Sequence, residues 1–291
     1  MTVITDAAIA ARRRRHRSAR SRWLLTLVGA VIVAIYIFPL YWMVTTSVKT
    51  DPELFSSPPT WFPTVIDFTP YINAVFGNQQ MLTSLGNSAI IATGTTVLTL
   101  TVAAPAAYAF ARLNLRWSSL LLLPFLVAQL LPTINLALPI FGLFSQIGLV
   151  NTHAGLIIAN SVFALPFAVI VLRPFYLSIP KEMEEAAAVD GANRFQAFFR
   201  IVLPIVRPGL VTVGAFAFVG AWGEFTLGLT LATLPSVQPV TVTLNSFIGQ
   251  YGTQWAPLMA AATIVAIPIV VLFTVFQRLI TNGLAAGSVK D

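Results

Sequence analysis

Long apolar segments alternate with short polar ones along this chain. Each apolar segment is close to the roughly 20 residues that a helix needs to cross a bilayer. Several contain proline, which membrane helices tolerate where neighbouring groups satisfy the freed backbone. We therefore predict an all-α membrane protein whose transmembrane domain, residues 23–281, holds six helices: Trp23–Val48, Ser84–Ala111, Ser118–Phe144, Ala154–Phe175, Pro208–Leu234 and Ala256–Phe276.

Two polar segments between these helices are long enough to carry structure of their own. Residues 49–83 form a proline-rich loop in which Tyr71–Phe76 is predicted to be a short interfacial helix. Residues 178–204 are rich in charge and are predicted to form two helices joined by a tight turn.

The first helix of this second segment is predicted from its end signals. Pro180 suits the first helical position, where its missing N–H is not needed. Glutamates at 182, 184 and 185 follow it, where the positive end of the helix dipole stabilises carboxylates. Gly191 suits the residue just past the helix end, where the backbone is left-handed. Alanines at 186–188 keep the helix narrow, so that another surface can approach its backbone.

The second helix of the segment is predicted to begin at the capping residue Asn193. Phe195, Phe198, Phe199 and Val202 then follow with the spacing of one apolar helical stripe. Pro204 is expected to end or kink this helix.

Composition supports a membrane protein and argues against a catalytic or metal site. Hydrophobic residues make up 57% of the chain and charged residues 9%, whereas soluble domains hold about 25% charged residues. The chain has no cysteine and two histidines, His16 and His153, far apart in sequence. No phosphate-binding Gly-rich motif precedes any of its lysines. We therefore predict no catalytic residues, no metal ligands and no cofactor bound by this chain.

The basic residues predict the orientation in the membrane. With six spans both termini lie on one side, and placing them inside leaves only Lys49, of 17 basic residues, on the outside. The positive-inside rule therefore predicts cytoplasmic termini and a cytoplasmic 178–204 segment. The net charge of +7 is explained by this topology, and no nucleic-acid partner is predicted.

Residues 1–22 form a basic cytoplasmic tail, with arginine at 12–15, 17, 20 and 22. We expect the tail to be disordered at its start and to lie near anionic lipid head groups at its end. A signal peptide is the competing interpretation, but the apolar run Trp23–Val48 is too long for one.

The 178–204 segment resembles the EAA loop of ABC importer permeases. The family pattern is Glu-Ala-Ala, three residues, Gly, and later a hydrophobic residue, one residue and Leu-Pro. It is matched by Glu185-Ala186-Ala187, Gly191, Ile201 and Leu203-Pro204. The alternative is a surface hairpin of no special purpose. The resemblance implies a coupling helix that docks on a separate cytoplasmic ATPase, with contacts expected from Glu184, Glu185, Ala186, Ala187, Asp190, Gly191, Ala192, Phe195, Leu203 and Pro204.

The C-terminal residues 282–291 form a cytoplasmic tail that resembles the end of the MalG-type subunit of carbohydrate importers. The matching residues are Gly283-Leu284, Gly287 and Val289-Lys290. A frayed polar terminus is the alternative. The resemblance implies a second ATPase contact, made by Gly287, Ser288, Val289 and Lys290.

The first external loop also resembles that of sugar-importer permeases, at Lys49-Thr50-Asp51, Phe55, Pro58-Pro59 and Trp61-Phe62-Pro63. The resemblance to this family as a whole covers nearly all of the chain after residue 22. It implies the type I ABC importer permease fold, in a multi-pass subunit of a bacterial plasma membrane. The expected partners are the lipid bilayer, a second similar permease, two ATPase subunits and an extracytoplasmic solute-binding protein. ATP and magnesium would be bound by the ATPase alone, and transport would proceed by alternating access.

The implied substrate is a carbohydrate, with a di- or oligosaccharide as the main expectation. A sugar phosphate or a polyol is the alternative within the same machinery. An ion-driven secondary transporter is a further alternative, but such proteins usually place ionisable groups near the bilayer midplane, and the predicted spans hold only Glu224.

Glu224 is the one carboxylate within a predicted span. A charge inside the membrane is costly and is by default a functional hypothesis. Two interpretations stay open: Glu224 lines the translocation path or a gate, or it hydrogen-bonds a helix of a partner subunit. The family usually has Trp-Asn-Glu-Phe here, and this chain has Gly223 in place of the asparagine.

Overall fold

The computed structural model describes residues 3–113, 118–249 and 252–288, and this part of the chain is almost entirely helical. Two π-helical turns, Tyr71–Phe76 and Phe198–Val202, a 3₁₀ turn, Pro235–Val237, and an antiparallel pair of strands, β1 (Ile248–Gly249) and β2 (Gly252–Thr253), interrupt the α-helices. The α-helices are α1 (Val3–Thr46), α2 (Asp51–Leu54), α3 (Gln79–Arg112), α4 (Ser118–Ala128), α5 (Thr133–Gln146), α6 (His153–Leu177), α7 (Glu182–Val189), α8 (Arg194–Ala197), α9 (Leu203–Ile205), α10 (Arg207–Trp222), α11 (Thr226–Leu231), α12 (Val240–Asn245) and α13 (Trp255–Ser288).

Four helices are long and apolar enough to span a membrane on their own. Their membrane-spanning parts are Trp23–Thr46, Gln79–Arg112, His153–Leu177 and Trp255–Gln277. These are the first, second, fourth and sixth predicted spans, so the prediction is confirmed for them apart from small shifts in their ends. The largest shift is in α3, which begins at Gln79, inside the segment predicted as the 49–83 loop.

The third predicted span is not one straight helix. α4 and α5 meet at an angle of 103° across a break of a few residues. Pro132, whose backbone is extended, stands immediately before α5. A proline has no N–H to continue the hydrogen bonds of α4, so the chain turns and a new helix starts after it. Residues Arg194–Ile205 and Arg207–Trp222 form a second bent pair, at 75°, and counting each pair as one span gives up to six candidate spans in the described part of the chain.

The fifth predicted span is also shorter than expected. α10 ends at Trp222, and after a break the chain resumes as the short helix α11, which ends at Leu231. The prediction of one continuous helix to Leu234 was therefore wrong. Glu224 lies in the break itself, and its carboxylate accepts hydrogen bonds from backbone N–H groups at the start of α11, as described below.

The basic tail was expected to begin as a disordered segment. In the structure its backbone from residue 3 onward belongs to α1, which runs without interruption into the first span. Residues 3–22 contain no glycine or proline, so no residue before Trp23 stops the helix.

The core of the bundle lies between α3, α6 and the segments on either side of α9. Small residues of α3, Ala103, Ala104 and Ala107, let α6 come close with Leu172 and Tyr176. Phe198 and Val202 of the second π-helical turn and Val206 pack into the same cluster.

The two ends of α3 lie at opposite ends of the molecule, and each contacts a different loop segment. Its first turn contacts the 3₁₀ turn, because the Gln80 side chain donates a hydrogen bond to the Pro235 carbonyl at 2.8 Å. Its last residue, Arg112, contacts the 178–204 segment. Large apolar side chains are exposed along α1, α5 and α13, as expected of helices that face lipid or another membrane subunit.

Candidate functional site

The 178–204 segment forms a helical hairpin at the end of the bundle where α3 and α6 finish. We call residues 178–204 the hairpin. Its first helix, α7, begins at Glu182 and not at Pro180 as predicted. The Pro180 carbonyl accepts a hydrogen bond from the Met183 N–H at 3.3 Å, so Pro180 belongs to the turn that leads into the helix.

The turn of the hairpin has the geometry predicted for it. Asp190 caps α7 and Gly191 follows with φ of 84°. The Gly191 N–H donates to the Ala188 carbonyl at 3.1 Å, and the Ala192 N–H donates to the Ala187 carbonyl at 2.9 Å. This pair of hydrogen bonds is the Schellman motif, which requires a left-handed residue at the position of Gly191.

The second half of the hairpin starts as predicted. The Asn193 side chain accepts a hydrogen bond from the Gln196 N–H, and the Gln196 side chain accepts one from the Asn193 N–H, each at 2.9 Å. This reciprocal capping box holds the first turn of α8.

The apolar stripe predicted beyond Asn193 does not exist as one face. Phe198 and Val202 are buried, whereas the side chains of Phe195 and Phe199 are 77% and 58% exposed. The π-helical turn Phe198–Val202 is wider than an α-helical turn, so residues that an α-helix would align are separated.

Pro204 does not end or kink the second helix. It occupies the first turn of α9, which continues to Ile205, and the chain bends by 75° at Val206. Pro208 explains the place of the bend, because it has no N–H to donate to the Pro204 carbonyl.

Glu184 fastens the hairpin to α3. One of its oxygens accepts a hydrogen bond from Arg112 Nε at 2.6 Å, and the other accepts one from the Tyr108 hydroxyl at 2.5 Å. Arg112 Nη2 also donates to the Ile179 carbonyl at 2.7 Å. The Arg112 and Glu184 side chains are 8% and 17% exposed, so this ion pair is shielded from water and holds α7 against the bundle.

The other predicted contact residues divide into a buried or half-buried set and an exposed set. Ala187 is buried and Ala192 is half-buried. Leu203 is half-buried within the core of the bundle. The exposed set in this chain is Glu185, Ala186, Asp190, Gly191, Phe195 and Pro204, together with Val189, which is 88% exposed.

Glu224 caps α11, and within the described residues its side chain hydrogen-bonds to the start of that helix. Its two carboxylate oxygens accept hydrogen bonds from the Leu227 N–H at 2.9 and 2.8 Å, and one of them also accepts from the Gly228 N–H at 3.1 Å. The Thr241 hydroxyl donates to the Glu224 carbonyl at 2.7 Å. The carboxylate thus satisfies the free N–H groups that every helix start leaves.

Glu224 also lines a cavity of about 330 Å³ between α5, α6 and α10. Phe163, Phe167 and Phe216 form much of its wall, and Asn160 adds an amide group. The Phe167 and Phe216 rings meet edge to face, 5.5 Å apart. The site thus combines aromatic surfaces with a few polar groups, as ligand cavities do.

The predicted C-terminal contact residues lie at the edge of the described structure. The backbone of Gly287 and Ser288 is the last turn of α13. Val289 and Lys290 lie outside the described residues, so their role stays a prediction.

Sequence analysis missed Tyr108 and Arg112, which hold the hairpin in place. Arg112 was used only as a basic residue at the end of a span, and Tyr108 as part of that span. Their partner Glu184 is more than 70 positions away along the chain, and no local pattern links them.

Within the described residues, no group of three or more histidines, aspartates or glutamates is placed to hold a metal ion.

The sequence model of one family, described as "Binding-protein-dependent transport system inner membrane component", matches residues 102–285. This match includes the hairpin, its anchor Arg112 and Glu224. The chain belongs to this family. It is therefore a membrane transport subunit, a multi-pass protein of the cell membrane.

Individual relatives match the permease over nearly its whole length. The sulfoquinovosyl glycerol transport system permease protein SmoH of Agrobacterium fabrum is 34% identical, with 91% of this chain and 92% of the relative aligned. The diacetylchitobiose uptake system permease protein DasC of Streptomyces coelicolor is 35% identical, with 90% and 95% aligned.

A solved structure shares the fold of the permease. It is the crystal structure of a bacterial ABC transporter involved in the import of the acidic polysaccharide alginate. The similarity has a TM-score of 0.75 at 21% identity and covers 89% of this chain and 97% of that chain. The predicted ABC importer permease fold is therefore confirmed.

Proposed function

We propose that this permease is one membrane subunit of an ATP-driven importer for a di- or oligosaccharide. The observation that carries the proposal is the hairpin, a rigid polar element fixed to the end of the bundle by the Arg112–Glu184 ion pair. Relatives at 34% and 35% identity are named as permeases for sulfoquinovosyl glycerol and diacetylchitobiose, which are both glycosides. Their chemistry favours a carbohydrate over a polyol or a sugar phosphate for this chain.

The exposed residues of the hairpin form the proposed docking surface for the ATPase. Val189 and Phe195 present apolar side chains, and Glu185 and Asp190 present carboxylates, all without burial in this chain. Apolar side chains this exposed on a polar segment are typical of a surface that another protein covers. Ala186 leaves the α7 backbone open to close approach from the same side.

Glu184 has a different part in this proposal. Because its carboxylate is bound by Arg112 and Tyr108, it transmits a displacement of α7 to α3. Leu203 joins the second half of the hairpin to the core. A movement of the ATPase is thereby passed to two elements of the bundle at once.

The remaining partners follow from the same proposal. A second permease completes the membrane passage, two ATPase subunits bind ATP and magnesium, and an extracytoplasmic binding protein delivers the sugar. Residues Gly287, Ser288, Val289 and Lys290 are proposed to contact the ATPase. Deleting residues 287–291 should leave the subunit in the membrane and weaken ATPase association in a pull-down, whereas normal association and uptake would remove this contact.

The cavity beside Glu224 is the proposed part of the translocation path in this chain. Its phenylalanine rings suit the apolar faces of a sugar ring, and Asn160 and Glu224 suit its hydroxyl groups. This favours the path over the partner-helix interpretation, because Glu224 lies in the wall of a cavity within its own chain.

Reconstituted transport tests the proposed function. The permease, its partner permease, the ATPase and the binding protein are placed in proteoliposomes, and uptake of a panel of radiolabelled disaccharides is measured with ATP enclosed. We expect uptake of at least one disaccharide that needs both ATP and the binding protein. Uptake driven by a proton or sodium gradient without ATP would contradict the proposal.

A further inference from the structure

A second cavity lies at the opposite end of the molecule from the hairpin. It has a volume of about 270 Å³ and is enclosed by the end of α1, by α2 with the chain that follows it, and by the start of α13. Three aromatic residues and two charged residues are prominent in its wall: Trp42, Phe55, Trp255, Lys49 and Glu53. We call it the outer cavity.

Glu53 has a free hydrogen-bonding oxygen although it is buried. The residue is only 8% exposed. Its Oε1 accepts hydrogen bonds from the Thr64 N–H at 2.8 Å and from the Thr60 hydroxyl at 3.1 Å. Its Oε2 is buried and has no hydrogen-bond partner among the described residues. Native structures rarely leave such an atom unsatisfied, so it indicates that a water molecule or a ligand is its partner.

Lys49 supplies the complementary charge on the same wall. It is 3% exposed, its ammonium lies 4.7 Å from the centre of the Trp42 ring, and it donates a hydrogen bond to the Thr60 carbonyl. An ammonium has three N–H donors, and the Thr60 carbonyl uses one of them. In the described ranges the Arg112–Glu184 pair is the only ion pair within bonding distance, so neither Lys49 nor Glu53 is neutralised by a salt bridge.

The wall of the outer cavity is held in a fixed shape by α1. The Tyr41 hydroxyl donates to the Trp61 carbonyl at 2.5 Å, and the Trp42 and Trp61 rings meet edge to face, 6.1 Å apart. The Ser47 and Tyr71 hydroxyls lie 2.7 Å apart. The charged groups are therefore positioned before any ligand arrives, which lowers the entropy cost of binding.

We propose that the outer cavity binds one sugar unit. A saccharide presents hydroxyl groups that donate to a carboxylate and accept from an ammonium, and it presents apolar C–H faces that pack on aromatic rings. Glu53, Lys49 and the rings of Trp255 and Phe55 provide these contacts in one place. The proposal rests on the proposed function for the extracytoplasmic position of this end and for the choice of a sugar. The site is separate from the cavity beside Glu224, and it would hold sugar near the mouth of the importer.

A quaternary ammonium compound is the main alternative ligand for the outer cavity. Such cations bind on open aromatic faces. The Trp42 ring already carries the Lys49 ammonium, whose charge repels a second cation. A neutral polyhydroxy ligand satisfies the Glu53 oxygen and the Lys49 donors without this repulsion.

Saturation-transfer difference NMR tests the outer cavity. The assembled importer is placed in nanodiscs without binding protein or ATP, its aromatic protons are irradiated, and D-glucose, trehalose and glycine betaine are used as probes. We expect transfer to the ring protons of glucose or trehalose. Glu53→Gln keeps the shape of the side chain but removes its charge, and it should weaken the affinity roughly tenfold or more. Trp255→Ala should weaken it as well.

Asp51→Asn is the matched control, because Asp51 lies on the same short helix α2 and is exposed. It should leave the affinity unchanged. Glu224→Gln serves as the second reference, since a signal lost only in that variant comes from the other cavity. No transfer to either sugar, transfer unaffected by Glu53→Gln, or transfer to glycine betaine alone would overturn the proposal.

The same samples separate this inference from the proposed function. ATP-driven uptake is measured with each variant after complex yield has been checked. Normal uptake without any sugar signal at the outer cavity would refute the inference and leave the proposed function in place. Absent ATP-driven uptake by the unaltered complex would refute the proposed function instead.

Discussion

At the scale of single residues, Gly191 determines the angle between the two halves of the hairpin. Its φ of 84° is open to glycine and tolerated by asparagine, whereas a β-branched residue is strained there. A Cβ at this position would meet no atom within 4 Å. A substitution therefore acts through backbone conformation alone.

Gly191→Val should abolish sugar uptake while leaving membrane insertion intact. The left-handed conformation costs such a residue on the order of 1–2 kcal/mol, and relaxing it turns α7 away from its docking angle. Gly191→Asn is the matched control and should keep most of the uptake. The measurement is ATPase activity stimulated by loaded binding protein in the reconstituted complex, and full stimulation with valine would show that the hairpin is not the coupling element.

Glu184 and Glu185 are neighbours with opposite environments. Glu184 is bound by Arg112 and Tyr108. Glu185 is exposed, and no hydrogen bond or ion pair of its side chain occurs in the part of the chain that the structure covers. One carboxylate therefore serves the fold and the other is free for a partner.

Glu184→Ala should destabilise the permease, because it leaves the Arg112 charge shielded from water without a carboxylate. Removing one partner of such a pair costs about 3 kcal/mol. Glu185→Ala should leave stability unchanged and weaken ATPase stimulation. Thermal denaturation of the purified complex, followed together with ATPase activity, distinguishes the two. Equal denaturation midpoints for both variants would contradict the anchoring role of Glu184.

At the scale of elements, the break between α10 and α11 depends on Glu224. α11 spans only Thr226–Leu231, and so short a helix is not stable by its own hydrogen bonds. The Glu224 carboxylate satisfies its first N–H groups. The cap also fixes the Glu224 side chain, so the position of this residue in the cavity wall depends on the cap.

Glu224→Ala should lower both stability and uptake, because loss of a helix cap costs about 1 kcal/mol. Glu224→Gln retains an oxygen that accepts from the Leu227 N–H, so it should keep the fold and alter transport of the sugar. Denaturation midpoints and initial uptake rates are measured for both variants. Normal uptake by Glu224→Gln in a normally assembled complex would show that transport does not need the negative charge of Glu224.

At the scale of the whole molecule, the hairpin and the outer cavity lie at opposite ends of the bundle. α3 runs from one end to the other, since its first turn contacts Pro235 of the 3₁₀ turn and its last residue contacts Ile179 of the hairpin. The asymmetry of basic residues assigns the hairpin end to the cytoplasm. This assignment is open to a direct test, because the chain has no cysteine of its own.

Single cysteines at Ser57, Ser236 and Ser178 should report the orientation. All three side chains are exposed in the structure. An impermeant thiol reagent applied to intact cells should label the first two positions and spare Ser178, which should react after the cells are opened. Labelling of Ser178 from outside would overturn the predicted topology.

The sequence by itself determined the features that depend on near neighbours in the chain. The apolar lengths of α1, α3, α6 and α13, the Gly191 turn and the Asn193 cap are all set within a few residues, where hydropathy and backbone preference act. The hairpin motif and its family likewise followed from residues close together in sequence.

Only the tertiary structure decided how these elements meet. The Arg112–Glu184 pair, the cap that Glu224 gives to α11 and the free oxygen of Glu53 depend on how the chain turns and packs. The bends at Pro132 and Val206 were missed because prolines in membrane helices are often accommodated without a break. Which outcome occurs is set by whether neighbouring segments satisfy the freed backbone groups, and the order of residues alone does not carry that information.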